Sequence, residues 1–294
     1  MIEKVHFGKP QLKKIKEEGF FLADMHFHSK YSDTYTRPRS IVKRAAKLGI
    51  GVAITDHNHI GGYVEAAKEK NSNVPLIPGI EISTKQGPHL LAYFYTFKDM
   101  EQFYEKHLKD KKGKNPYMAT RMKAEEVVEL CKDYNGIVSA AHPKAMTLWD
   151  VQRKIAAGKI DDSIMKGLDC AEVLCGLILR KMNLRALSWA EEKTLGITGG
   201  SDGHTLIKLG SVVTYAKADN VGSFLDSLRK KKSYVSGIET RMLPRALSYS
   251  KAITKHSRYV GPSVMIHYKL GLRDGFNNIK DKLSSRRQRL KIRK

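Results

Sequence analysis

The stretch LADMHFHSKYSD, residues 22–33, sets two histidines one residue apart at the end of a run that reads as buried strand, with Asp24 before them and Asp33 after. In an extended strand alternate side chains point to the same face, about 7 Å apart. His26 and His28 therefore project together, at a separation that two ligands of one metal ion bridge by leaning inward. The tetrapeptide SDGH, residues 201–204, repeats the device with Asp202 and His204.

Outward from that stretch, short apolar runs alternate with helical patterns. Strands are expected at 19–28, 51–57, 75–83, 89–96, 136–142, 168–174 and 196–204, with two more in SVVTYAKA and KSYVSG around a helix at 220–230. Further helices are expected at 38–48, opening on Pro38, and at 61–70, 119–134 and 178–194. A strand-helix-strand rhythm argues for an α/β fold with a largely parallel sheet covered on its faces, open or closed into a barrel. The Lys-rich KDKKGKNP, residues 109–116, reads as an exposed loop or a boundary of the helix that follows.

With 294 residues, 41% of them apolar, the chain can bury one sizeable core. No apolar run reaches the roughly 18 residues of a membrane span, and the first residues lack the apolar stretch of a signal peptide, so a cytoplasmic protein is expected. Cys131, Cys170 and Cys175 form no CxxC pair and read as reduced core thiols. The charge is lopsided: of a net +23, twelve come from residues 239–294, which hold 15 Lys and Arg against three acids. Such a field concentrates polyanions.

Seven of the eleven histidines fall at or just past a strand edge: His26, His28, His57, His59, His89, His142 and His204. Asp24, Asp33, Asp56, Glu81 and Asp202 accompany them. In parallel α/β folds the residues beyond the carboxyl ends of strands converge on one face. Burying so many titratable groups without a metal or partners is expensive, which makes a metal site the expectation.

Taken in order, DMHFHSKYSD, ITDHN, GIEIS, the histidine of GPHLL, AAHP and GGSDGH resemble the PHP (polymerase and histidinol phosphatase) domain, over about residues 20–238. The resemblance implies a distorted (β/α)7 TIM-like barrel with two or three divalent metal ions at the carboxyl ends of its strands. Matched position by position, it implies His26, His28, Asp33, His57, Glu81, His89, His142, Asp202 and His204 as metal ligands. It implies a metal-dependent phosphoric ester hydrolase, a phosphatase or exonuclease, in which the ions clamp a phosphoryl group and deprotonate a water at neutral pH. Imidazoles with carboxylates suit Mn, Zn or Fe.

Asp24 and Asp56 are the nearest carboxylates for fixing the histidine tautomers and stand as the catalytic candidates. Lys144, after AHP, and Arg37 and Arg39, after the first motif, are candidate phosphate contacts, joined by Asn58 of ITDHN. The charge favours a substrate with several phosphates, a nucleotide or nucleic-acid end, over a simple monoester. The catalytic unit is expected over residues 1–238 and a basic, partly helical extension over 239–294. In that extension Leu272, Phe276, Ile279 and Leu283 recur at helical spacing, as a helix face docked on the barrel would, and the final RRQRLKIRK is expected to stay solvated and contact RNA or DNA, with an anionic membrane surface as the alternative. The alternatives are a noncatalytic nucleic-acid-binding module of the same fold, or an amidohydrolase or TatD-type nuclease, which also begin with HxH. An intact ligand set favours the phosphoesterase.

Overall fold

The computed structural model describes residues 3–69, 73–145, 149–239 and 257–268. The strands among them are β1 (Val5–Phe7), β2 (Phe21–Phe27), β3 (Gly51–Ile54), β4 (Leu76–Ile77), β5 (Gly79–Ser83), β6 (His89–Tyr93), β7 (Ile137–Ala140), β8 (Cys170–Cys175), β9 (Gly196–Gly200), β10 (Val212–Ala216) and β11 (Tyr234–Gly237). The α-helices are α1 (Leu12–Glu17), α2 (Pro38–Leu48), α3 (Gly61–Ala66), α4 (Phe97–Phe103), α5 (Ala124–Asp133), α6 (Val151–Ala156), α7 (Arg180–Glu192), α8 (Val221–Arg229) and α9 (Val260–His267).

Helix α2 has the expected bounds because its signals are local. Pro38, whose missing N–H costs nothing in the first turn, starts it, and Gly49 ends it in the left-handed region at φ 66°. Ile41, Val42 and Ala45 bury one face between them.

The strands form two hydrogen-bonded sheets, ordered β1-β11-β10-β2-β3-β4 and β5-β6-β7-β8-β9, rather than one closed sheet. They are mixed in direction: β2–β3, β3–β4, β7–β8 and β8–β9 pair parallel, whereas β10 runs antiparallel to β2 and β11, and β6 to β5 and β7. This departs from the largely parallel sheet expected. The connection from β5 to β6 is too short for a parallel crossover and permits only a hairpin. The strand expected at 75–83 divides at Pro78, which has no N–H for a ladder. As a result β4 stays in the first sheet and β5 opens the second.

The two sheets meet along seams marked by isolated parallel bridges, His57 to Glu81 and Phe27 to Gly203. At these seams the Asn58 N–H donates to the Glu81 carbonyl at 2.8 Å and the Asp202 N–H to the His26 carbonyl at 2.8 Å. A Cβ at Gly200 would lie 2.3 Å from the His26 Cβ, so only glycine lets β9 run this close to β2. The seams thus bring together the histidine-bearing ends of β2, β3 and β9.

Residues 109–116 are not simply an exposed loop. Asn115 is fully buried; its Nδ2 donates to Ser263 Oγ of α9 at 2.9 Å and its Oδ1 accepts from the Tyr117 N–H. All three cysteines are free and buried. No helix among the described residues is long and apolar enough to cross a membrane. The stripe of Leu272, Phe276, Ile279 and Leu283, and the final RRQRLKIRK, lie outside the described residues.

Candidate metal centre

Glu81 on β5 is fully buried, and five imidazoles surround its carboxylate. Its Oε2 lies 3.0 Å from His57 Nδ1, 3.2 Å from His26 Nε2 and 3.4 Å from His28 Nε2. Its Oε1 lies 2.9 Å from His89 Nδ1 and 3.2 Å from His142 Nε2. A second knot adjoins it: His28 Nε2 is 3.0 Å from Asp202 Oδ1, and His204 Nε2 is 2.7 Å from Asp33 Oδ2. Asp33 Oδ2 in turn stands 3.7 Å from His57 Nε2.

The strand ends aim these groups by unusual backbone. His142 and Asp202 both have positive φ, 28° and 49°, a region that costs a non-glycine residue about 1–3 kcal/mol and is tolerated where surrounding contacts impose it. Here the turn is imposed by buried bonds: the His142 N–H donates to Glu172 Oε2 at 2.8 Å, and the Asp202 N–H to the His26 carbonyl.

Four overlapping triads offer ligand atoms within 4.8 Å of one another: His26, His28 and Glu81; His28, Asp33 and His57; His28, Asp202 and His204; and His57, Glu81 and His89. They hold eight of the nine residues expected as ligands, and His142 joins them through Glu81. The donor set also fits a cation. Glu81 Oε2, His57 Nδ1, His89 Nε2 and His142 Nδ1 are buried without a hydrogen-bond partner. A buried carboxylate oxygen facing three imidazole nitrogens out of hydrogen-bond alignment is costly as a bare polar group. It is well placed as one of several ligands converging on a common ion.

The electrostatics follow from burial and crowding. Burial alone would raise the Glu81 carboxyl, but His57, His26 and His89 hold it well below its ordinary value. Burial disfavours a charge on His57, yet Glu81 and Asp33 beside it raise it to about 8. His28 has burial as its dominant influence and falls to about 4. His26, His28 and Glu81 are sealed from water, whereas the side chains of His57, His89, His142, Asp33, Asp202 and His204 are 7–12% exposed. The centre therefore has a closed floor and an open rim.

The remaining expected residues sort differently. Asp24 and Asp56 are fully buried, but their carboxylates hold backbone instead of orienting imidazoles. Asp24 accepts from the Ser201 N–H at 2.9 Å and the Gly210 N–H at 3.0 Å, and burial raises it to about 6. Asp56 accepts from the Ser29 N–H and hydroxyl, both at 2.6 Å, and burial raises it to about 7. The carboxylate that does meet an imidazole is Glu172, which sequence reasoning passed over: its Oε1 lies 3.0 Å from His26 Nδ1 while Oε2 takes the His142 N–H. The available signal was one acid inside the apolar run LDCAEVL.

Asn58, expected to meet substrate, is fully buried. Its Nδ2 donates to the Pro116 carbonyl at 2.9 Å and its Oδ1 accepts from the Ser83 N–H at 2.9 Å, so the amide faces backbone on both sides. Lys144 lies 3.7 Å from Asp150 and 5.6 Å from the Trp189 ring centroid, and Arg39 lies 3.5 Å from Glu69. Arg37 instead lines an open cavity together with His204.

Comparison with known proteins adds a second line. The PHP domain family model matches residues 24–148, and a PHP-associated model matches residues 180–233. An uncharacterised protein of Methanocaldococcus jannaschii is 37% identical over 134 residues, 41% of this chain and 67% of that protein. The 3′,5′-nucleoside bisphosphate phosphatase of Chromobacterium violaceum is 38% identical over 68 residues, 22% of this chain but 24% of that enzyme. The chain thus matches about a quarter of that relative's length. Among solved structures, endonuclease Q in complex with a 27-mer duplex substrate bearing an abasic lesion aligns with a TM-score of 0.57 at 18% identity, over 79% of this chain and 67% of that one, a likeness of fold.

Proposed function

Because the chain belongs to the PHP domain family, we propose that it is a metal-dependent phosphoesterase acting on a nucleotide or nucleic-acid end, with two or three divalent ions held by His26, His28, Asp33, His57, Glu81, His89, His142, Asp202 and His204. The observation that carries this reading is the gathering of five imidazoles within 2.9–3.4 Å of one buried carboxylate, Glu81. When bound, the ions would supply Lewis acidity toward a phosphoryl oxygen and lower the pKa of a water.

The chain's own residues prepare the site for that chemistry. Glu172 accepts the proton of His26 at Nδ1, which leaves the lone pair of Nε2 facing Glu81 and His28. Cys175 donates its thiol to Asp202 Oδ2 at 3.5 Å and leaves Oδ1 toward His28. Asp24 and Asp56 anchor the backbone of the two seams. The sealed floor excludes water from His26, His28 and Glu81, and the half-open rim admits a substrate.

We read the two sheets as the distorted barrel of the family, opened where the ladder thins to single bridges. Residues 1–238 form the catalytic unit in this reading, and residues 239–294 a basic extension that holds RNA or DNA by charge. The test is a screen of purified protein of known metal content against phosphomonoesters, nucleoside bisphosphates and 5′-labelled RNA and DNA. Metal-dependent release of phosphate or nucleotide is the expected result. A protein that takes up no divalent ion after reconstitution would sink the reading.

A further inference from the structure

Resting on the phosphoesterase reading, we propose that the cavity beside His204 is the subsite for the part of the substrate that is not hydrolysed, with Tyr35 taking an aromatic base and Arg37 a second phosphate. The shared chemistry is a nucleoside flanked by two phosphates, whether free or at the end of a strand. The cavity has a volume of about 670 Å³ and is lined by Tyr35, Thr36, Arg37, Ser40, His204 and Leu206 among others. That volume lies within the ordinary range of small-molecule sites.

His204 joins the cavity to the metal centre, since its Nε2 is 2.7 Å from Asp33 Oδ2. Its backbone carbonyl accepts the Thr34 hydroxyl at 2.5 Å, which pins the segment carrying Tyr35 and Arg37 to the turn carrying Asp202 and His204. A ligand in this cavity therefore sits beside the rim of the centre.

The lining is suited to a base and an anion together. Tyr35 is 61% exposed, and Ile207, next to Leu206, is 77% exposed. Of these two, Tyr35 lines the cavity, so a ligand there meets its exposed side chain. An aromatic ring there stacks on any base, because every base has a π-face. Of the three cations named as candidate phosphate contacts, Lys144 is paired with Asp150 and Arg39 with Glu69. Arg37 has no acidic partner among the described residues, and its guanidinium fork matches phosphate geometry. The hydroxyl of Ser40 stands in the same wall as a further donor.

The experiment compares kcat/KM of the metal-loaded wild type, R37A, Y35A and Y35F on p-nitrophenyl phosphate, adenosine 5′-monophosphate, adenosine 3′,5′-bisphosphate and a 5′-phosphorylated dinucleotide. The wild type is expected to prefer two-phosphate substrates over the monophosphate by about tenfold, a preference R37A reduces to about one. Y35A is expected to lower the ratio of nucleotide to p-nitrophenyl phosphate turnover by about tenfold, and Y35F to restore it. Preference for the free bisphosphate assigns the subsite to mononucleotides, and preference for the dinucleotide to strand ends. A wild-type ratio near one, or a ratio that survives R37A, overturns the proposal. If no phosphoester is turned over at all, the functional reading fails. Calorimetric titration of adenosine 3′,5′-bisphosphate then decides the subsite separately, because absent binding, or equal binding by wild type and R37A, removes it.

Discussion

Replacing Glu172 by glutamine tests how far the metal centre depends on a residue that is not one of its proposed ligands. Glu172 is 1% exposed, and both oxygens are engaged, Oε1 with His26 Nδ1 at 3.0 Å and Oε2 with the His142 N–H at 2.8 Å. Glutamine keeps the shape and one acceptor. If its oxygen stays on the His142 N–H, its NH2 faces His26 Nδ1, and two donors cannot share that line. The imidazole must then accept at Nδ1 and carry its proton on Nε2, the atom 3.2 Å from Glu81 Oε2 that should meet the metal. If the amide turns the other way, the His142 N–H loses its acceptor, at a cost of about 1–3 kcal/mol for a buried unsatisfied donor. Disturbing such an outer hydrogen-bond partner lowers metal affinity about 10- to 100-fold. At about 1.4 kcal/mol per decade this is roughly 1.4–2.8 kcal/mol of binding free energy. Chelator-competition titration with Zn or Mn measures it, and circular dichroism checks that the variant is folded. A folded E172Q protein whose metal affinity stays within twofold of wild type would refute the argument that Glu172 sets the His26 tautomer.

Four further outcomes are expected. Asp202→Asn suits the left-handed backbone at this position but removes the charge beside His28, so phosphoesterase turnover should fall by about a hundredfold or more with metal content reduced; undiminished turnover and content would take Asp202 out of the ligand set. Chelation should lower the thermal midpoint by several degrees, since a ligand at about 100 times its Kd stabilises by about 2.7 kcal/mol, and identical melts with and without metal would speak against a built-in centre. Gly200→Ala places a Cβ 2.3 Å from that of His26, so a loss of about 1–3 kcal/mol in denaturant unfolding is expected, together with weaker metal uptake; an unchanged midpoint would mean that the seam yields freely. Deleting residues 285–294 should leave hydrolysis of a small phosphoester unchanged while weakening RNA or DNA binding and flattening its salt dependence, and equal affinity at two salt concentrations would remove the tail from the mechanism.

What the sequence determined by itself was whatever depends on near neighbours in the chain. The two-residue period of a strand put His26 and His28 on one face, and Pro38 and Gly49 bounded α2 from within. The ordered motifs named the nine residues proposed as ligands because each motif is short and carries its own spacing. Tertiary structure decided whatever depends on which surfaces meet. Pro78 reads locally as a strand breaker, but only the assembled sheets show that β4 and β5 part there into different ladders. Asp24, Asp56 and Glu172 are all acids in or at the end of apolar strands. Which of them holds backbone and which holds an imidazole depends on the partner brought across from another strand, 146 residues away in the case of Glu172 and His26. Asn58 looked available for substrate until Pro116 and Ser83 enclosed its amide, and Lys144, Arg39 and Arg37 looked alike until folding gave acidic partners to the first two. The physical reason is common to all of these: residue type fixes what a side chain is able to bond, and long-range packing alone fixes what stands within 3 Å of it.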